Sequence, residues 1–519
     1  VKVFAPSNII VDQDGLSNFQ SDTLTVLYRE APQPFGIYGP AGVGNQDELA
    51  IWLDASKGVF DENGNEVTEV GTEVQSWSDV FGNGLSADQQ DLTALPSYQT
   101  GETGINGMPA LRFDGVGDKL LLSGLPSPEN PSIFAIAKGS QQEFNDHGWI
   151  ASSRGANGYV LHPWKESALY HSIIIDAEGN YADAPQQWVV DAGATHIYGT
   201  IYERTDFGAK FLTVFDGITI DWGNSAIGPR VDGAPIDVNI GWDFDDRYGD
   251  GLIAEHFVYT RTIQESHRKL IASYLAAKYA IDIGPTSKFD LDLYPFEVAG
   301  IGQESQYDYH LEAQGTGLVK MNVESLDNGD YFMIGHDNGA MEWEDNGFPL
   351  TSTRLTRTWG YQETQDCEDI TLQFDLSEVE NIPAGIGLIV ETSPYFFVGG
   401  EPGFYPLTDI GDGWYEVTLD FWNAGVFTIG LSPTVGVADF DEVNWMVYPN
   451  PSEGNINLQL PMWDQSIDIK VYSVTGSLMW SGNSVGGTTV IPSENWSDGV
   501  YHVQINDGRS VGVTKFILN

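Results

Sequence analysis

A single cysteine, Cys367, stands in 519 residues. That excludes an intrachain disulfide and any metal site built from cysteines. Basic residues are scarce as well: 23 Lys and Arg face 74 Asp and Glu, a formal charge of −51 at pH 7. A surface of that sign repels phosphate backbones and anionic lipid, which excludes nucleic acid as a partner. No run of about 18 apolar residues occurs, so no transmembrane segment is expected. P-loop, HExxH and GxGxxG patterns are missing, which removes the nucleotide and zinc-peptidase chemistries those motifs carry. The chain opens on Val1 with no signal-peptide pattern, so either a leader has been removed or a longer protein continues before it.

What the chain has is glycine (59 residues), aromatics (12%) and enough hydrophobic residues (41%) for several cores. Long helical patterns are rare, and the mixture points to an all-β architecture with many turns. Residues 1–46 form a lead-in: one alternating stretch, DTLTVLYRE (Asp22–Glu30), then a Pro/Gly linker. A first large domain covers 47–284, with strand-like runs at Ser132–Gly139, Gln187–Gly193, His196–Glu203, Lys210–Gly217 and Asp237–Trp242. Turn pairs such as Asp216-Gly217 separate them. Thr262–Ile281 breaks the pattern. Leu270, Ile271, Tyr274, Leu275 and the stem of Lys278 repeat at helical spacing, and Thr262 with Glu265 has the form of a capping box. A second β-sandwich is expected over 285–432, with ITLQFDLS and YEVTLDF alternating as half-buried strands and GVFTIGL closing it. A linker follows at 433–445, and a small domain at 446–519.

IWLDASKG, WSDVFGNG, PALRFDGVGDKL and IAEHFVYTRTIQESHRKLIASYLAAKYAI occur in that order in the first domain. They resemble the laminin-G-like, concanavalin-like jelly rolls of Bacteroidetes surface proteins. The resemblance implies a jelly roll with one packed helix. Relatives often carry two consecutive Asp where this chain has Gly117-Asp118. The run Ala299–Thr364 resembles a module that follows such jelly rolls and brings no activity with it.

The tail alternates short strands and turns. Ile456, Leu458 and Leu460 share one face, Ile467–Gly482 forms a hairpin, and Gly499–Leu518 forms another with Tyr501, Val503 and Ile505 inward. That suits a small immunoglobulin-like β-sandwich. YPNPSEG, KVYSVTGSLMWSG, SDGVYHVQI and the final TKFILN resemble the C-terminal sorting domain of the type IX secretion system. The motif residues are Tyr448, Pro449, Asn450, Pro451, Gly454, Gly476, Gly499, Val500, Tyr501 and Lys515. The resemblance implies passage through the periplasm, export across an outer membrane, and recognition by a translocon and its outer-membrane shuttle protein. It also implies an uncleaved species, since such tails are commonly removed after export. Recognition is expected at the edge of the last strand, where backbone groups would stand unpaired.

Chemistry is sparse. A concanavalin-like glycosidase would place carboxylates two to four residues apart on one strand, but no Glu-x-Asp-x-x-Glu run is present. Asp243, Asp245, Asp246 and Asp250 cluster in a loop and offer hard oxygen ligands suited to Ca²⁺. Their order does not match an EF-hand, and a solvated loop is the plainer reading. DENGNE (Asp61–Glu66) reads as a hairpin turn, and Asp114 and Asp118 as turn caps. Trp164, Trp222 and Trp242 sit in or beside loops and are candidate sugar platforms, with burial in the core as the alternative. Cys367, beside Asp366 and Glu368, is expected to be a poor thiolate. The expected protein is a secreted, cell-surface β protein, its jelly roll binding glycans or surface partners as an adhesin does. The alternatives are a polysaccharide-active hydrolase and a structural spacer at the end of a giant adhesin.

Overall fold

The computed structural model describes residues 2–3, 24–25, 38–82, 84–140, 150–164, 169–184, 188–191, 193–205, 208–225, 227–244, 247–314, 318–344, 353–392, 403–431, 446–452, 454–460, 467–473, 477–506 and 511–519. The chain forms two compact units. One comprises Val1–Glu342, Leu355–Ile382 and Leu388–Thr428; the other comprises Trp343–Arg354, Pro383–Gly387 and Ile429–Asn519.

In the first unit, two antiparallel sheets make the jelly roll. The first runs, in spatial order, through Ile218–Ser225, Gly208–Phe215, Thr195–Thr205, Ser132–Gly139, Asp250–Tyr259, Gly107–Asp114 and Ser97–Gly101, and Leu49–Asp54 also pairs with Asp250–Tyr259. The second runs through Tyr181–Asp183, Leu169–Ile175, Tyr159–Trp164, Ala151–Ser153, Ala234–Ile240, Leu120–Ser127, Ser86–Asp88, Ser76–Ser78 and Val59–Phe60. Alternation along the strands sends Leu111, Phe113, Ile133, Tyr159, Leu161, Tyr198 and Ile253 into one shared core. Gly241 is required where the chain leaves that core: its φ is +78°, and a Cβ there would lie 2.1 Å from a ring carbon of Phe113.

The sequence expectations hold for most of these strands. Gln187–Gly193 differs: among its described residues only Val189 pairs, in an isolated bridge to Leu169. Of Asp22–Glu30, Leu24–Thr25 pairs with Lys2–Val3, and the rest lies outside the described residues.

The helix spans Glu265–Tyr279, and Leu270, Ile271, Tyr274, Leu275 and Lys278 are all buried. The capping box does not form. Thr262 Oγ1 donates to the Tyr202 carbonyl instead, and the first helical N–H groups of Glu265 and Ser266 donate to the Asp308 carboxylate at 3.0 and 3.1 Å. An acceptor some forty residues downstream thus does the capping, and its negative charge also suits the helix N-terminus. The same helix packs on the strand Phe296–Ser305. Gly300 permits the close approach: a Cβ there would meet Leu270 Cδ2 at 3.1 Å and Met333 Cγ at 2.5 Å.

At its other end the helix is fixed by charge. Lys278 Nζ lies 2.7 Å from Asp54 Oδ2 and 2.5 Å from Glu255 Oε1. Tyr274 and Tyr279 hydroxyls donate to Glu255 Oε1, and Trp52 Nε1–H donates to Glu255 Oε2 at 3.2 Å. Asp54, Glu255 and Lys278 are all buried.

The second sandwich pairs Phe296–Ser305, Tyr331–His336, Trp359–Thr364 and Ala424–Leu431 in one sheet, and Glu312–Gln314, Val319–Asn322, Asp369–Asp375, Trp414–Asp420 and Thr408–Gly411 in the other. Leu372, Phe374, Val417, Leu419 and Phe421 are buried as their alternation predicts, whereas Tyr415 is half-buried. Ala424–Leu431 is an inner strand of its sheet rather than a closing one.

The C-terminal domain is a sandwich of a three-stranded sheet (Met446–Tyr448, Ile456–Leu460, Gly487–Ile491) and a four-stranded sheet (Leu478–Ser484, Ile467–Ser473, Gly499–Asn506, Val511–Leu518). Its core is its own: Ile456, Leu458, Leu460, Ile467, Ile469, Val471, Ile491, Tyr501, Val503, Ile505, Phe516 and Leu518.

Candidate functional site

Arg112, Leu252 and Lys138 sit side by side on three adjacent strands of the first jelly-roll sheet. Each neighbours a core residue in sequence (Leu111, Ile253, Ala137), so alternation turns all three away from the core. They line an open depression of about 360 Å³ together with Gln99, Thr103 and Ser140. Gly139, Gly193 and Gly251 complete its wall.

Two strand spacings separate Arg112 from Lys138, about 10 Å. Arg112 is ion-paired with Asp250 and donates to the Gly251 carbonyl at 3.4 Å. Ser140 Oγ donates to the other Asp250 oxygen at 2.6 Å. Lys138 has no side-chain partner among the described residues. The depression therefore offers the Lys138 ammonium, the Gln99 amide, and the Thr103 and Ser140 hydroxyl oxygens. The Asp250 carboxylate is bonded to two of the lining residues, Arg112 and Ser140.

Trp222 and Trp242 are not among the residues that line this depression. Trp222 is half-buried against the jelly-roll core, with its Nε1–H donating to Thr213 Oγ1 at 3.0 Å. Trp242 lies in a two-strand hairpin that follows Gly241, stacked on Tyr248 with the Lys119 ammonium 4.9 Å from its ring centre. Trp164 ends the strand Tyr159–Trp164, and its side chain is outside the described residues.

Two of the four calcium candidates are among the described residues. Asp243 is buried, receives Ser152 Oγ–H at 2.5 Å, and is ion-paired with Arg154 at 2.6 Å. Asp250 is held by Arg112 and Ser140 as above. Both described aspartates thus already have a cation in hand; Asp245 and Asp246 lie outside the described residues. The turn readings hold. Asp61 Oδ1 accepts the Asn63 and Asn65 N–H groups, and Asp114 Oδ1 accepts those of Val116, Gly117 and Asp118.

Strand register assembled two constellations that the sequence did not show. His162 and His171 face each other across adjacent strands, 2.9 Å between ring nitrogens, and His171 reaches on to Asp183. Alternation in YVLHPW and LYHSIII could have placed both histidines outward, but only the register pairs them. In the second sandwich Glu363, Asp366 and Asp420 converge. Burial, then the Glu363 charge, pushes the nearby Cys367 thiol far up, so it is inert as expected. Glu363 takes the part that sequence proximity had given to Glu368.

In the C-terminal domain the motif residues explain one another. Tyr448, Pro449, Asn450 and Pro451 are exposed. Asn450 Oδ1 accepts the Ile517 N–H at 2.9 Å, and its Nδ2 donates to the Lys515 carbonyl at 3.2 Å. Ser452 N–H donates to the Ile517 carbonyl, and its carbonyl accepts the Asn519 N–H, both at 2.9 Å. YPNPSEG therefore covers the outer edge of the last strand. The expectation of unpaired backbone is corrected for the Lys515–Asn519 end of that strand, where the motif takes up the Lys515 carbonyl, both Ile517 groups and the Asn519 N–H. The other edge of this sheet is Leu478–Ser484, where Leu478 and Met479 are exposed. Gly454 accepts Ser493 Oγ–H at 2.7 Å. Gly499, Val500, Tyr501 and Lys515 all belong to the terminal hairpin, with the Tyr501 ring stacked on Phe516. Gly476 lies outside the described residues.

Residues 446–519 match the family described as secretion system C-terminal sorting domain, and residues 292–409 match a domain of unknown function. A search of curated proteins found no match. Among solved structures, domain 4 of the extracellular arabinanase AbnA of Geobacillus stearothermophilus, in complex with arabinotriose, is 15% identical over 43% of this chain and 98% of its own, with a TM-score of 0.29. The CBM40 of the Ruminococcus gnavus IT-sialidase, bound to α2,3-sialyllactose, is 12% identical over 31% and 95%, with a TM-score of 0.23. The binding domain of botulinum neurotoxin serotype D is 11% identical over 91% and 96%, with a TM-score of 0.32. Likeness at these scores carries no argument about ligands. The sorting domain does carry one about destination. This chain is cargo of the type IX secretion system and a secreted, extracellular or cell-surface protein, and no helix among its described residues is long and apolar enough to cross a membrane.

Proposed function

We propose that this exported protein works at the cell surface as a glycan-binding, adhesin-like molecule, with the depression at Arg112, Leu252 and Lys138 as its binding site. On this reading the translocon and its outer-membrane shuttle handle the tail, and the jelly roll does the work on arrival. The carrying observation is the composition of the depression among the described residues: the Lys138 ammonium beside the polar side chains of Gln99, Thr103 and Ser140. Sugar hydroxyls fit the Gln99 amide and can donate to the Thr103 and Ser140 oxygens, whose own protons go to the Thr100 carbonyl and to Asp250, and an acidic substituent fits Lys138. The overall charge of −51 opposes an anionic ligand only at long range, because salt screens beyond about 8 Å.

A glycan array probed with the full chain, once in calcium and once in chelator, tests this. Binding to uronate- or sulfate-bearing glycans is expected in both conditions, since arginines already neutralise Asp243 and Asp250. Lys138→Ala should weaken that binding about tenfold, the worth of one charge-assisted hydrogen bond, and leave folding unchanged. Silence across acidic and neutral glycans would move the protein to the spacer reading.

A further inference from the structure

Two carboxylates share one ammonium in a dry site. Asp54, Glu255 and Lys278 are 5%, 0% and 8% exposed, and no second cation joins them in the contacts of the described residues. An ordinary buried ion pair needs one partner for each charge; here one negative charge is left over. Burial, aided by the Asp54 charge, raises the Glu255 pKa even against the pull of Lys278, so Glu255 is the group suited to hold and pass a proton.

We propose that Lys278 and Asp54 are a modification site at which the folded chain forms an intramolecular amide bond, with Glu255 as the catalytic proton carrier. Lys278 Nζ gives a proton to Glu255 Oε1, 2.5 Å away, and the neutral amine attacks Cγ of Asp54. Nζ already stands 2.7 Å from Asp54 Oδ2. Negative charge then gathers on Asp54 Oδ1, which receives the Ser56 N–H at 2.9 Å and the Ser56 O–H at 2.7 Å, an arrangement of donors that suits an oxyanion. Glu255 returns protons to Oδ2, the Cγ–Oδ2 bond breaks, and water leaves. The balance closes within the triad. The Nζ–Cγ bond forms, one hydrogen stays on nitrogen, two leave with Oδ2 as water, and the opposite charges of Lys278 and Asp54 cancel. Nothing is oxidised or reduced, and Glu255 ends as it began.

Amide formation from an amine and a carboxylate is unfavourable in dilute water, but fixed neighbours react with effective molarities of about 10⁵ M or more. The reaction also removes two charges from a site where each is costly to bury. The ionised pair resists the step, because the carboxylates hold the ammonium and Lys278 holds Asp54 ionised; the surplus carboxylate is what relieves that resistance. The product would tie Leu49–Asp54 covalently to the helix, some 220 residues on in the chain, a bond well suited to a protein that works outside the cell without a disulfide.

Intact mass spectrometry of the full wild-type chain tests this, followed by proteolysis and peptide mapping. The expected chain is lighter than its sequence mass by one water. Digestion should give a branched peptide joining the Asp54 and Lys278 segments, with no tryptic cleavage after Lys278. Glu255→Gln and Lys278→Arg should each restore the full sequence mass. A wild-type chain at full mass, with Asp54 and Lys278 both recovered in linear peptides, would overturn the proposal. So would a water loss mapped to any other position. Both readouts come from the wild type, so a variant that fails to fold does not blunt the test.

Discussion

The first sheet of the jelly roll carries Asp54, Glu255 and His256, and the helix carries Lys278, all buried. The interior of the C-terminal domain holds aliphatic and aromatic side chains, and its buried polar residues among those described are Ser452 and Ser493, both serving the loop around Gly454. The contrast separates two ways of using a β-sandwich. An apolar core needs only volume and alternation, so the tail can fold on short strands and offer its surface for recognition. A core with buried charge depends on every partner being present, and is where chemistry can reside.

The comparison breaks most readily at Lys278. Lys278→Met would leave two carboxylates in the dry site without a cation, costing about 3–5 kcal/mol. Hydrogen exchange resolved by residue should show the loss across Leu49–Asp54, Asp250–Tyr259 and the helix, and none in the C-terminal domain. Equal loss in both would dissolve the distinction. Acid should separate the two next. Burial outweighs the Phe134 carbonyl and lowers the His256 pKa from 6.5 to about 4; His310, half-buried and bonded to the Gly42 carbonyl, is similarly lowered to about 4 by desolvation. The unfolded chain therefore takes these protons first. The stabilisation is complete above pH 6.5, falls as pH drops toward 4, and then levels, by up to about 3 kcal/mol for His256. The C-terminal domain has no buried histidine among its described residues, so its own protection should not follow this curve. The smallest effect sharpens the tail's side of the contrast. Asn450→Ala removes two exposed hydrogen bonds to the last strand and should cost about 1 kcal/mol. Faster amide exchange confined to the Lys515–Asn519 edge would show it; unchanged exchange there would mean the motif does not guard that edge.

Several strands were legible from local pattern. ITLQFDLS and NINLQL alternate because one face meets a core, and the burial of Leu372, Phe374, Ile456, Leu458 and Leu460 follows. The helix was legible from its stripe, but its cap was not, because Asp308 reaches the helix from another element. The tryptophans of the first domain were visible as residues, but the partners of Trp222 and Trp242 were not. Trp222 and Trp242 are occupied by Thr213 and by Tyr248 with Lys119, partners named by no local spacing. The depression itself left no mark in sequence: Arg112, Lys138 and Leu252 are ordinary residues until the register aligns them.

The sequence alone determined the β class, the single helical stripe and the destination, since each is written in short-range periodicity or in a contiguous motif that folds on its own core. Tertiary structure alone decided which charges meet. Lys278 finds Asp54 across 224 positions and Glu255 across 23, because sheet pairing and helix docking bring distant segments within bonding distance, and no one-dimensional pattern encodes that proximity.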